Sequence, residues 1–578
     1  MFAGRVRLLR LLPGRGGGLV LALLQGVRAV MPALTAVAVG RLVTALFQDG
    51  GVRAAAEAAI VVAGLVLVDQ VAWLMITPVR TLVVKRIDGG LRARMRELAL
   101  GLPGLDVLER GDVQDRLARA VDPGMGIARE RSAGNAAVGQ LELVFRVISA
   151  VAAAAVLATF SVVLAVVLLA AALGMRAVLR RQWMRIIDKL DADTAGQRYE
   201  YYVASQAVMG AAKDVRLYGL SDWFAGRFRA AAVRTYGPVW REMLGVLRRQ
   251  WAIVGGSLLM GAAVLAAPAV AVLDGRLEPG RLITYVLAGF GVLAISAMGM
   301  EAYDIEYGLR GLADADALVE AYGNKQARPG SEPAAEAPGV TLENVVFRYP
   351  GAVAPVLDGL TLTIAPGEVV AVVGENGAGK TTLVKLLTGL YRPESGHIAV
   401  GGVEPGVRRP AATVLFQDFV RYPASLRENV TGGAGGDDAD VREALRQAGG
   451  DELPADLDTL LWREGEAGTD LSGGQWQRVA LARALYAVGT GRRLLVLDEP
   501  TANLDVRAEA SFHERVVAQV RDTTTILISH RLSTVRFADR IVVLHDGQVA
   551  EDGDHDALMA LGGRYAEFFT TQAEAFRA

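Results

Sequence analysis

The stretch VVAVVGENGAGKTTLVKLL contains Gly374-x-x-x-x-Gly379-Lys380-Thr381. A glycine-rich turn between an apolar strand and a helix lets backbone N–H groups wrap phosphate oxygens, and the helix N-terminus adds positive potential. Gly374, Glu375, Asn376, Gly377, Ala378 and Gly379 would form this cradle. Lys380 would bridge the β- and γ-phosphates of a nucleotide, Thr381 would ligate Mg²⁺, and Thr382 would complete the nucleotide-contacting set. A second apolar strand, LLVLDEP, ends in two carboxylates. Asp498 suits a magnesium shell, and Glu499 beside it suits a water attacking the γ-phosphate. Without the upstream phosphate loop, such an acidic pair would read as ordinary loop solvation.

Three further groups follow apolar runs. Gln417 in VLFQDFV contacts Mg²⁺ or water, or merely caps a loop. A lone histidine after a strand is commonly structural, yet His530 in ILISHRLST stands at a strand end like the other groups. There its imidazole can hydrogen-bond a γ-phosphate. The stretch DLSGGQWQR, Asp470 to Arg478, holds no nucleophile. Ser472, Gly473, Gly474 and Gln475 open a helix there, offering N–H groups and a hydroxyl to an anion.

These residues need a scaffold of strands and helices. VTLENVVFRY, GEVVAVVG, ATVLFQ, RLLVLDEP, TTILISH and RIVVLHDG alternate with helical stretches, the pattern of an α/β domain with a mainly parallel sheet. The segment GNKQARPGSEPAAEAPG before them reads as a tether. The expected limits are 1–323 for an N-terminal domain, 324–339 for the linker and 340–578 for the α/β domain.

The N-terminal domain has a different character. Over 578 residues, 52% are hydrophobic and 21% charged, an average that a membrane half joined to a soluble half would give. The mean hydropathy is +0.31. A net charge of -1 argues against nucleic acid as a partner, and the absence of cysteine excludes disulfides, thiolate metal sites and cysteine nucleophiles. Apolar segments near Leu19–Phe47, Ala55–Ile76, Val138–Ala158, Val162–Leu179, Ile253–Leu273 and Leu282–Met300 are six candidate spans, since crossing a bilayer takes roughly 20 apolar residues. Short loops join the first and second, third and fourth, and fifth and sixth. The two other connections are long and arginine-rich, which places them and the N-terminus in the cytoplasm. Arg5, Arg7, Arg10 and Arg15 suit a basic helix on the inner membrane surface rather than a cleaved signal. Turns near Pro103–Leu117 and Tyr202–Leu220 either contact a cytoplasmic motor or are solvated loops. Arg28, Asp69, Gln70, Glu142 and Arg146 lie in or near spans, on a substrate route, in structural pairs or near helix ends. Asp304 and Glu306 read as a cytoplasmic extension of the last span.

With GENGAGKT, FQDF, LSGGQWQR, VLDEPTANLD and ISHRLS in that order, the soluble half resembles the ATPase domain of ABC transporters. Six preceding spans make the whole chain similar to an exporter-type half-transporter. The resemblance implies a multidomain protein: an all-α six-helix transmembrane domain with long cytoplasmic helical extensions, then an α/β P-loop ABC ATPase domain. It implies that Tyr349 stacks on adenine, where the residues alone place a strand-end core residue. Gln417 becomes the nucleotide-sensing glutamine that also meets metal, Glu499 the catalytic carboxylate, and His530 the switch histidine. Leu504 and Asp505 fit the end of the family's D-loop, and the two cytoplasmic turns match the coupling helices that rest on the ATPase domains. Ser472 and its neighbours would cover the ATP of a facing chain, so the expected partner is a second half-transporter, a homodimer before a heterodimer. Ala502, Asn503 and Trp476 depart from the usual pattern, and WREGEAGTD matches it only loosely. The implied activity is ATP hydrolysis driving export of a small molecule, peptide or lipid across the cytoplasmic membrane. The alternatives are an importer of a siderophore-like compound on the same scaffold and an ATP-gated membrane regulator.

Overall fold

The computed structural model describes residues 2–14, 16–47, 51–102, 104–121, 132–191, 194–205, 211–323, 336–405, 412–433, 435–462, 468–500 and 522–575. They form two compact units, Met1–Glu97 with Gln114–Ala321, and Leu98–Val113 with Tyr322–Ala578.

The first unit is helical. Its long elements are Gly17–Phe47, Gly51–Leu100, Ala133–Ala158, Val162–Asp191, Ser221–Leu273 and an interrupted helix from Pro279 to Tyr322. All six are long and apolar enough to cross a membrane. The 50-residue and 53-residue helices far exceed the ~20 residues that a ~30 Å hydrocarbon core requires. Valine, leucine and alanine supply the apolar surface, and Pro32, Pro78, Pro238 and Pro268 sit inside helices. Such prolines are tolerated where neighbouring helices satisfy the freed backbone groups.

Small residues bring these helices close. A Cβ on Gly40 would lie 1.7 Å from Thr284 Oγ1, and one on Gly280 would lie 2.0 Å from Thr44 Oγ1. The first and last spans therefore cross where only glycine fits, the packing mode expected without a hydrophobic drive between helices. Asp88 is buried, accepting from Ser132 Oγ and from the Gly134 amide at 2.8 Å. Ser132 itself caps the helix Ala133–Ala158. The N-terminal helix Phe2–Arg10 is held by Arg7 on Asp316 and by Leu8, buried among Ala133, Ala136, Ile305 and Leu312.

Four of the five polar groups read from the sequence, Arg28, Asp69, Glu142 and Arg146, are paired in this bundle. Arg28 Nε donates to Asp69 at 3.1 Å, and Arg80 lies 3.6 Å from both Glu142 and Asp304. Arg146 donates to Glu301 at 2.7 Å, and Gln70 is exposed. One expectation changes. The last span does not run unbroken to Met300: its helix ends at Leu293, passes through a 3₁₀ turn at Ala294–Ser296 and restarts at Glu301. The carbonyls freed there accept from arginines, Ala294 from Arg146, Ile295 from Arg176 and Ala297 from both. Asp304 and Glu306 lie on the helix Glu301–Tyr322 that continues the last span, and Asp304 is buried there. It is 1% exposed, whereas Glu306 pairs with Arg180.

The second unit is built on two sheets. Strands β1 (Val340–Phe347), β2 (Leu357–Ile364) and β4 (Ser395–Val400) form an antiparallel sheet in the order β2-β1-β4. Strands β3 (Val369–Gly374), β5 (Ala412–Leu415), β6 (Leu494–Asp498), β7 (Thr524–Ile528), β8 (Arg540–His545) and β9 (Gln548–Gly553) form the order β5-β6-β7-β3-β8-β9. All pairs in it are parallel except β8 with β9. β6 and β7 are buried throughout, as central strands of a parallel sheet covered on both faces are. Leu105–Leu108 and Glu109 belong to this unit. The Leu105 amide donates to Leu390 O at 2.7 Å, and the Tyr391 hydroxyl donates to Glu109. The first cytoplasmic turn read from the sequence thus rests on the α/β domain. The second is split between helices Thr194–Ser205 and Ala212–Leu217 of the helical unit.

Candidate active site

Register explains why the chemistry collects at one edge. Leu415 pairs with Leu497, Asp498 with Ile528, and Val372 also with Ile528. The residues that follow each strand therefore emerge side by side at the carboxyl ends, where open α/β sheets bind ligands. Gly374 opens the phosphate loop with φ 148, and a Cβ there would lie 2.3 Å from Leu544 O. Gly379 has φ 100, and a Cβ there would meet Leu357 Cδ2 at 2.5 Å. Side chains are excluded at both places, so the backbone can turn tightly into the helix Lys380–Leu387.

Lys380 Nζ donates to the carbonyls of Gly374 and Glu375, each at 2.8 Å. Burial pushes its ammonium below the usual lysine range, against the pull of Glu499 and Asp498. Thr381 Oγ1 donates to Asp498 Oδ2 at 3.1 Å. Asp498 is 2% exposed, and burial holds its carboxyl above the usual aspartate range despite the Thr381 hydrogen bond. Among the described residues no group of three or more His, Cys, Asp or Glu could hold a metal. One carboxylate beside one hydroxyl still fits magnesium, which keeps waters and takes its remaining ligands from phosphate.

Glu499 is the centre of a second cluster. Gln417 Nε2 donates to one of its carboxylate oxygens at 3.0 Å, and His530 Nδ1 lies 3.1 Å from the other. Its φ is 52, a left-handed conformation uncommon outside glycine, and its amide is anchored on Ile528 O at 2.9 Å. Such strain persists only where surrounding contacts over-determine it. One of those contacts was not legible beforehand. Gln477, buried on the helix Gly473–Gly489, donates to the carbonyls of Glu499 at 3.3 Å and Pro500 at 2.6 Å. Its position two residues past Gln475, among the buried Trp476, Val479 and Ala480, is the signal: a glutamine facing a core needs partners. Gln572, which donates to the His530 carbonyl, comes from the C-terminal helix Arg564–Ala575 and carried no such signal.

Tyr349 follows β1 and is part of an aromatic group with Phe347 and Tyr391, all edge-on at 5.0–5.5 Å. Its hydroxyl lies 3.1 Å from Thr382 Oγ1, so Thr382 is tied to this group rather than left open. Lys385 Nζ is 5.2 Å above the Tyr349 ring.

Ser472 and Gln475 behave differently. They form a reciprocal cap, the Gln475 amide donating to Ser472 Oγ at 3.3 Å and the Ser472 amide to Gln475 Oε1 at 2.9 Å. These contacts do not involve the 374–382 loop, and Ser472 and Gly473 are exposed. The departure at Trp476 is structural: the indole is 2% exposed in a core with Leu471, Val479 and Leu495. Ala502, Asn503, Leu504 and Asp505 lie outside the described residues, as does most of WREGEAGTD.

A phosphate loop on β3 facing a carboxylate pair on β6 defines the soluble unit as a P-loop ATPase domain. Residues 357–502 match the family described as ABC transporter. Residues 357–502 thus carry an ABC transporter domain, and they follow a unit with six helices long and apolar enough to cross a membrane. The chain is 41% identical over 249 residues to the mycobactin import ATP-binding/permease protein IrtB of Mycolicibacterium thermoresistibile, covering 41% of this chain and 42% of that protein. It is 34% identical over 372 residues to the ATP-dependent lipid A-core flippase of Chromobacterium violaceum, covering 59% of this chain and 62% of that protein. In fold it is similar to a bacterial Atm1-family ABC exporter solved with ATP bound, with a TM-score of 0.73, 24% identity and coverage of 96% and 97%.

Proposed function

We propose that this chain is one half of an ATP-driven exporter of the cytoplasmic membrane, two copies enclosing two ATP molecules. The membrane domain is 1–323, the tether 324–339 and the ATPase domain 340–578. The observation that carries the reading is the convergence of Lys380, Thr381, Asp498, Glu499, Gln417 and His530 at one sheet edge, in a chain with six apolar helices. Lys380, now resting on loop carbonyls, transfers its donors to the β- and γ-phosphates. Magnesium, when bound, neutralises phosphate charge, with Thr381, Asp498 and Gln417 as its protein-side ligands. Glu499 orients the attacking water, and His530 senses the γ-phosphate while steadying that carboxylate. Tyr349 stacks on adenine.

Ser472 and its helix N-terminus are exposed and free of the chain's own phosphate loop. This supports a site completed by a facing chain, a homodimer in the simplest case. The turn seated on Leu390 and Tyr391 is the path by which closure of the ATPase domains reaches the helices. The test is ATP hydrolysis by the purified protein in lipid, with directional transport in inside-out vesicles. A preparation that binds ATP but never couples hydrolysis to vesicle transport would overturn export. The similarity to mycobactin importers supports a second reading, uptake on the same scaffold, and the direction of vesicle transport separates the two.

A further inference from the structure

A cavity of about 620 Å³ lies within the helical unit, its walls drawn from four elements. Arg28 comes from Gly17–Phe47, Trp73, Ile76 and Arg80 from Gly51–Leu100, Glu142 and Arg146 from Ala133–Ala158, and Glu301 from the helix it starts. The three arginines differ in how their donors are used. A guanidinium carries five N–H groups in a rigid fork. Arg146 spends its donors on Glu301 and on the carbonyls of Ala294 and Ala297. Arg28 gives only Nε, to Asp69. Arg80 makes no hydrogen bond among the described residues, and its ion-pair partners Glu142 and Asp304 stand at 3.6 Å.

Both side chains are about two-thirds withdrawn from solvent, at 39% and 33% exposure. None of their nitrogens is among the buried side-chain atoms without a partner, so their unused donors open onto the cavity, where a ligand can reach them. Guanidinium forks match two-oxygen anions, which they take bidentately. Glu142 does not fill that role, because at 3.6 Å it balances charge without a hydrogen bond that a ligand would have to break. Trp73 and Ile76 add an apolar face to the same cavity.

We infer that this cavity binds an amphipathic organic anion. Its carboxylate or phosphate is held by Arg28 and Arg80, and its apolar part lies against Trp73 and Ile76. This names the substrate class of the transport reading and rests on that reading only for the claim that the ligand is carried.

The experiment uses the full chain in phosphatidylcholine nanodiscs without ATP, with protein-free discs as background. Pyrenebutanoate, its primary amide and pyrenylbutyl-trimethylammonium are titrated as probes of one skeleton, and saturable binding is read by fluorescence. The carboxylate should bind roughly tenfold or more tightly than the amide, the range expected for hydrogen bonds to a charged group. Arg28→Gln and Arg80→Gln should each erase most of that preference while amide binding persists, which also reports that the variants fold. Arg28→Lys and Arg80→Lys should retain part of it. Competition by phosphatidylglycerol identifies a lipid headgroup as the anion, and its failure to compete identifies a soluble compound; either supports the oxyanion site. Equal binding of carboxylate and amide, preference for the cation, or preference surviving Arg28→Gln with Arg80→Gln overturns the inference. Because no hydrolysis is needed, anion preference in a chain that never transports would sink the transport reading alone.

Discussion

Glu499 carries the most consequence for a single residue. Its carboxylate is aimed by Gln417 and His530, and its backbone is pinned by Ile528 and Gln477. Glu499→Gln should reduce hydrolysis by roughly 10²–10⁴-fold, the usual contribution of a positioned acid–base group. Equilibrium ATP binding should survive; steady-state phosphate release and nucleotide binding measured on one preparation check both. Gln477→Ala leaves two carbonyls without their donor, at a cost of about 1–3 kcal/mol where they are buried. A lower melting temperature with a lower turnover is expected, and an unchanged turnover would remove Gln477 from the positioning of Glu499. Asp498 sets a pH dependence. Its raised pKa means the folded protein holds a proton that the unfolded chain has released, so this group's contribution to stability falls as pH rises from 3.8 through the raised value. Magnesium needs the carboxylate, so the Mg²⁺ concentration for half-maximal hydrolysis should climb as pH falls into that window. Asp498→Asn should flatten the climb.

At the scale of elements, the contact between Leu105–Leu108 and the ATPase domain is the most exposed to test. Tyr391 touches both the Tyr349 ring and the Glu109 carboxylate, so Tyr349 and the turn share one residue. Tyr391→Phe keeps the ring and removes the hydroxyl. Faster hydrogen exchange at the Leu105 amide, whose acceptor is Leu390 O, is the expected outcome, with ATP binding held. The same scale shows what could be read in advance. The gathering of Gln417, Asp498, Glu499 and His530 was legible because each lies at or within two residues of the end of β5, β6 or β7, and parallel pairing in register aligns such ends. The six spans were legible from length and hydropathy. The break at Ala297–Gly299 was not: SAMGM contains no proline, and what holds it open is Arg146 and Arg176, from helices far away in sequence. Glu301, 5% exposed between those arginines, escaped for the same reason. Tyr391 escaped because its partner is a distant acid, and Gln477 because its core-facing position calls for partners without naming the Glu499 and Pro500 carbonyls.

For the whole molecule, the position of Ser472 predicts how copies cooperate. A chain carrying Lys380→Ala has a damaged phosphate loop and an intact signature; a chain carrying Ser472→Ala has the reverse. If each site joins one chain's loop to the other's signature, mixing the two inactive proteins rebuilds one site per pair. Hydrolysis should then reappear in the mixture, and its absence would place both parts of each site in one chain. Ser472 also caps its helix, worth about 0.5–2 kcal/mol against alanine. Ser472→Asn, which keeps a cap, therefore belongs beside it as the stability control.

The interruption in the last span has a mechanical meaning. A continuous helix transmits torque along its length because each turn is bonded to the next. Past the 3₁₀ turn at Ala294–Ser296 that ladder is interrupted, and guanidinium groups reach in from two other helices. Twisting Glu301–Tyr322 therefore does not rigidly rotate Pro279–Leu293, which stays keyed to the first span through Gly280 and Thr284. The two pieces behave as a shaft with a universal joint whose pins are Arg146 and Arg176. A twist of Glu301–Tyr322 therefore bears on Ala133–Ala158 and Val162–Asp191, the helices that supply those two arginines.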